Sequence, residues 1–154
     1  MKIQSSLIIL FFISFFLSCN NPRYSNYYSF DNQKWLQDSS IVFDFNSLTS
    51  KELKFEISIS YDKNYPYQNL YTSYSLIDSK KNVIDSQMIE FQLFEKKYGY
   101  PMGSGIFKNF TVDSLVTNIN PINKNSDYIL LVKHSMRDKE LNGIDKIGVD
   151  FISK

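Results

Sequence analysis

The sequence of 154 residues has one cysteine, Cys19, one histidine, His134, and one tryptophan, Trp35. A single thiol excludes an intrachain disulfide and any zinc site built on several thiolates. One histidine leaves no imidazole pair at metal spacing, and the chain holds no glycine-rich phosphate loop and no GxSxG elbow. Glycine is scarce at five residues, and three of the five fall between Gly99 and Gly105. That segment is no nucleotide fingerprint, because no helical pattern follows it. Charge of one sign is also missing: 17 Lys and Arg oppose 16 Asp and Glu, for a net +1. So balanced a chain has little field with which to attract a polyanion, which argues against nucleic acid as a partner. The residues call for no metal, no cofactor and no small-molecule substrate.

No apolar run is long enough to span a bilayer as a helix, which takes about 20 residues. A shorter run is present: after Lys2, the stretch Leu7 to Leu17 is apolar except for Ser14. This is the pattern of a secretory signal, with a basic start and a short apolar middle. It ends at Phe16-Leu17-Ser18-Cys19, where the sole Cys follows a small residue. The segment resembles the lipobox of bacterial lipoproteins, in which the Cys thiol receives a diacylglycerol and cleavage frees its amine for a further acyl chain. Phe16 departs from the Leu usual at that position. The alternative is an incidental Cys behind an ordinary cleaved signal. The lipobox reading makes Cys19 the lipidation site and the membrane the first partner. Asn20-Asn21-Pro22-Arg23 brings no Asp after the Cys and no acidic cluster. By resemblance to lipoprotein sorting, this implies a lipid-anchored protein on the periplasmic face of the outer membrane.

What is abundant is aromatic: 11 Tyr and 13 Phe. Bulky rings favour pleated, half-buried surfaces, and the hydropathy pattern has the period of two that strands require. Ile41, Phe43 and Phe45 alternate with Val42 and Asp44, and Leu53 to Tyr61 alternates without an error. Further strands are predicted over Leu70 to Asp78, Val83 to Phe94, Ile106 to Val112, Leu115 to Ile119, Tyr128 to Met136 and Ile147 to Ile152. Turns fall at Asp62-Lys63-Asn64 and Asp78 to Asn82, with loops at Tyr98 to Gly105 and Arg137 to Asp145. No segment has a convincing helical period. The expectation is an all-β protein, an antiparallel β-sandwich of jelly-roll or immunoglobulin-like kind, following the signal peptide. Its divisions would be residues 1–18 as signal peptide, 19–34 as lipidated Cys and polar tether, and 35–154 as the sandwich.

Candidate chemistry is sparse. His134 shares a strand face with Tyr128, Leu130 and Val132, which suits a structural His better than a general base. Asp44, Glu56, Glu90 and Asp150 lie on the polar phase of strands, so period two points them to solvent rather than into a glycosidase-like pair. The aromatic clusters carry more. Tyr65, Tyr67 and Tyr71 lie beside a turn, where exposed rings would pack on a protein or stack on sugar, and buried rings would close the end of the sandwich.

Three segments, with the lipobox, carry a family resemblance. They are Trp35 before the opening strand, Asn64-Tyr65-Pro66-Tyr67-Gln68-Asn69-Leu70-Tyr71, and His134-Ser135-Met136-Arg137 followed by Leu141-Asn142-Gly143-Ile144-Asp145. Together they resemble the GldH family of gliding-motility lipoproteins. The resemblance implies a non-enzymatic role in the envelope machinery that moves surface adhesins, linked to type IX secretion, with other proteins of that machinery as partners. Tyr65, Tyr67, Tyr71, His134 and Arg137 are the candidate partner-binding residues. A surface or periplasmic glycan-binding lipoprotein is the alternative.

Overall fold

The computed structural model describes residues 23–48, 53–119 and 126–153. Cys19 and the signal segment lie outside these residues. Among the described residues eleven strands form, all paired antiparallel: β1 Arg23–Ser29, β2 Lys34–Leu36, β3 Ile41–Leu48, β4 Leu53–Asp62, β5 Asn69–Asp78, β6 Val83–Gln92, β7 Ser104–Ile106, β8 Asn109–Ile119, β9 Ser126–His134, β10 Glu140–Asn142 and β11 Ile144–Ser153. Among the described residues, no helix is long and apolar enough to cross a membrane.

The first sheet has the order β1-β11-β4-β8-β7 and the second β3-β9-β5-β6. Apart from the three short strands, the pairing is nested. First pairs with last (β1–β11), β3 with β9, β4 with β8, and β5 with β6. This is one long hairpin rolled on itself, so the sandwich is a jelly roll and the immunoglobulin-like option is set aside.

Alternation explains which face is buried. On β4, Phe55, Ile57, Ile59 and Tyr61 are buried while Glu56, Ser58 and Ser60 are only partly covered. On β5, Leu70, Thr72, Tyr74 and Leu76 do the same from the opposing sheet. Aromatic rings bridge the layers. Phe55 stacks within its own sheet on Phe151 at 5.3 Å and meets Tyr74 of the opposing sheet edge-on at 5.2 Å. Such pairs add about 0.5–1.5 kcal/mol to the area they bury. The acidic residues read as solvent-facing, Asp44, Glu56, Glu90 and Asp150, all lie outside the core.

The structure corrects the sequence in four places. Residues 23–29, read as tether, are β1, a full partner of β11. The period-two signal there is weak because Tyr24, Tyr27 and Tyr28 are all exposed on an edge strand. Arg137 to Asp145, read as loop, contains β10, which pairs with β2 to form a two-stranded clasp. Ile106 to Val112 is no single strand: Ile106 ends β7, Phe107-Lys108 is a turn, and β8 runs from Asn109 to Ile119, absorbing the separate strand expected at Leu115. The loop expected through Gly105 gives way to β7, because Gly105 lets that strand approach closely. A Cβ there would lie 2.2 Å from the Asn109 carbonyl oxygen.

Candidate functional site

The family motifs gather at one end of the sandwich. There, β4 ends, β5 begins, β9 ends and β11 begins. The Asp62 carboxylate accepts the Asn64 N–H at 2.7 Å and the Asp62 carbonyl accepts the Tyr65 N–H at 2.9 Å, which turns the chain after β4. Pro66 follows, lacks an N–H and keeps the segment out of the ladder. Asn69 donates its amide to Glu90 at 2.8 Å, pinning β5 to its neighbour β6.

Tyr65 faces inward and is buried. Its hydroxyl donates to the Asn69 carbonyl at 3.3 Å, and its ring meets Tyr67 edge-on at 5.8 Å. Burial, with the charge of Asp138 nearby, pushes the Tyr65 phenol well above its ordinary range. Tyr67 is exposed and donates its hydroxyl to the Asp138 carboxylate; that bond raises its pKa. Across the gap, the Ser135 N–H donates to the Tyr71 carbonyl at 2.7 Å and the Tyr71 N–H points at Met136 Sδ at 3.4 Å. Gln37 fixes the Met136 carbonyl from behind at 3.1 Å. Between these groups lies a groove of about 320 Å³, lined by Tyr67, Tyr71, Ser135, Met136, Arg137 and Asp138.

Of the five candidate residues, the structure thus brings Tyr67, Tyr71 and Arg137 together at one groove and places Tyr65 and His134 beneath it. Ser135 and Met136 sat within the motif that carried His134 and Arg137, and adjacency was the signal for them. Asp138 had no signal beyond following Arg137. Arg137 is exposed and makes no ion pair with a described residue. Chemically the groove offers a phenol edge, a thioether, a guanidinium and a carboxylate.

His134 does not open onto it. The residue is 2% exposed, with the Trp35 ring edge-on at 5.3 Å. Neither ring nitrogen makes a hydrogen bond of good geometry, and the facing Thr72 hydroxyl is likewise unpaired. Among the described residues no group of His, Cys, Asp and Glu is placed to hold a metal. Burial lowers the His134 pKa from its ordinary value, although the Trp35 backbone and the Asp138 charge pull the other way. Folded protein therefore resists protonation that the unfolded chain accepts near pH 6.5, so the unfolded state binds more protons below that pH. Stability present above pH 6.5 is expected to fall as the pH drops, by at most about 1.4 kcal/mol per pH unit from this group. Urea unfolding at pH 7.5 and 5.5 measures it, and His134→Phe should flatten the difference. An unchanged slope in His134→Phe would assign the pH dependence to other groups.

The family model for GldH lipoprotein matches residues 23–151. The chain belongs to the GldH lipoprotein family. The match begins at β1 and ends in β11, so the family domain is the whole jelly roll, groove included. No curated protein matches this GldH-family chain. Solved structures resemble it distantly. A carbohydrate-binding module, CBM28, specific for non-crystalline cellulose, has 10% identity and a TM-score of 0.45, covering 84% of this chain and 75% of its own. The CBM36-1 domain of a multidomain xylanase from the hindgut metagenome of Trinervitermes trinervoides has 11% identity and a TM-score of 0.41, covering 80% and 84%. Dimeric latent PorU from Porphyromonas gingivalis has 14% identity and a TM-score of 0.37, covering 86% of this chain and 13% of PorU.

Proposed function

We propose that this lipoprotein is a non-enzymatic component of the gliding and type IX secretion-associated envelope machinery, acting through protein contacts at the Tyr67–Arg137 groove. The observation that carries the reading is the GldH match across the entire folded domain. Cys19 is the lipidation site in this reading, and the periplasmic face of the outer membrane is the location. A second acyl chain makes such an anchor stable, since each buried CH₂ contributes about 0.8 kcal/mol. The anchor confines the domain beside its partners and so raises their effective concentration. Tyr, Met and Arg are enriched where proteins meet, and the groove presents all three.

The test replaces the chromosomal gene with Cys19→Ala or with the pair Tyr67→Ala and Arg137→Ala. Cys19→Ala protein is expected to leave the membrane fraction, with loss of colony spreading and adhesin secretion. The groove variant is expected to stay anchored and folded and to lose the same functions. A deletion strain that spreads and secretes normally overturns the role. Retention on envelope polysaccharide that depends on Tyr67 and Tyr71 would favour the glycan-binding alternative; with Tyr65 buried, that alternative has two rings rather than three.

A further inference from the structure

A second surface at the same end of the sandwich has no role in the groove. Phe107 and Ile106, at the tip of the β7–β8 hairpin, are 92% and 76% exposed. Tyr98 and Tyr100, in the loop after β6, are 64% and 68% exposed, their rings 6.0 Å apart. Tyr61 sets the bases of the loop and the hairpin side by side: its hydroxyl donates to the Leu93 and Met102 carbonyls and its ring lies 6.0 Å from that of Phe110. The backbone makes the exposure odder still. Ile106 pairs with Asn109, so Phe107-Lys108 is a two-residue turn, with positive φ at Phe107 (64°) and not at Lys108. That is the signature of a type II′ turn, whose first central position favours glycine. Phe107 thus bears a local conformational cost and buries nothing in return.

The patch is also basic. Lys63, Lys96, Lys97 and Lys108 are exposed around it, and Lys97 Nζ sits 4.7 Å from the Tyr98 ring centroid. The acids of the same loops are turned inward: Glu95 accepts the Lys97 and Tyr98 N–H groups, and Asp62 accepts that of Asn64. In a chain of near-zero net charge, four ammonium groups that form no ion pair with a described residue, set around an apolar tip, select an acidic complement.

Position in the fold selects its source. β1 begins at the opposite end and on the opposite edge of the first sheet from the β7–β8 hairpin. Ten-residue strands span about 33 Å, and the three steps from β1 to β8 add about 14 Å sideways. Three residues lie between Cys19 and Arg23, and the four chain steps reach at most about 14 Å. The tip therefore stands at the corner of the sheet farthest from the anchor.

We propose that Ile106, Phe107, Tyr98 and Tyr100 form a docking surface for an envelope protein that presents an apolar pocket rimmed by Asp and Glu. The direction of approach rests on the lipid-anchor reading given above; the surface itself does not. The experiment is photocrosslinking in cells with a benzophenone amino acid at position 107 of the full chain, and at exposed Val42 as control. A protein adduct is expected at 107 and not at 42. Reversing Lys96 and Lys108 to Glu should reduce the adduct about tenfold or more, the loss typical of a contact hot spot. With the probe moved to Tyr100, Phe107→Gly should do the same while leaving the melting temperature equal or higher, since glycine suits the turn. A probe that labels lipid alone would make the tip a membrane-docking device and overturn the proposal. Adducts unchanged by charge reversal and by Phe107→Gly would also overturn it. Fractionation of the same cells keeps the two readings apart: failure of the anchor appears as soluble wild-type protein, failure of docking as anchored protein with no protein adduct.

Discussion

Trp35→Ala is expected to lower the free energy of unfolding by about 3–5 kcal/mol, among the largest effects of any single substitution in the domain. Trp35 is the middle residue of the three-residue strand β2, and its side chain is wholly buried. It stacks on Phe30 at 5.0 Å, meets His134 edge-on at 5.3 Å and sits directly opposite Leu141 of β10. Its indole N–H donates to the Ser39 carbonyl at 3.3 Å. Truncation would open a cavity at the end of the core and leave that carbonyl without its partner. For a domain of this size the fall in melting temperature should be roughly 10–20 °C. Urea or thermal unfolding of the variant measures it. A loss under about 1 kcal/mol would mean that the β2–β10 clasp lies outside the cooperative core.

Gly143→Val should cost about 3 kcal/mol or more, from two causes that add. Gly143 joins β10 to β11 at a φ of 90°, where a β-branched residue is a steric outlier. A Cβ there would also sit 3.0 Å from the Tyr65 Cα, backbone that the turn after β4 holds in place. The residue is tied on both sides, since its N–H donates to the Gln33 carbonyl at 2.9 Å and its carbonyl accepts the Asp62 N–H at 2.8 Å. Displacement of Tyr65 would carry Tyr67 with it, so the groove should lose its shape together with the stability. Gly143→Ala, which keeps the φ strain and reduces the crowding, should fall between the two. Equal stability of Gly143→Val and the parent would rule out this close approach.

Where a strand buries one face, its pattern was readable. Phe55, Ile57, Ile59 and Tyr61 of β4 and Tyr128, Leu130, Val132 and His134 of β9 all fall where period two places them. The pattern fails where burial no longer dictates residue type. β1 pairs along one side only and exposes its tyrosines, and β2 and β10 are too short for a period to register. The hairpin at Phe107 escaped because its turn has Phe-Lys in place of the glycine that its backbone favours. At the groove, Tyr67, Tyr71 and Arg137 were legible as residue types next to a turn. Which tyrosine points inward was not, because Tyr65 and Tyr67 are separated by one proline and both flank the same bend. The assignment to the GldH family rested on motif order, which survives even where local conformation is unreadable.

The nested pairing has a consequence for how the chain comes to be folded. Arg23 and Ile152 are register partners, so the first strand can be zipped into its sheet only once the last has been made. A chain emerging amino end first, from a ribosome or a translocon, presents β1 with its row of tyrosines and nothing to pair with until nearly every other residue is out. High contact order of this kind slows folding and lengthens the time for which sticky edges are open. Completion must wait for β11, and a polypeptide cut short before it leaves two orphaned edges, on β1 and β4, as templates for aggregation.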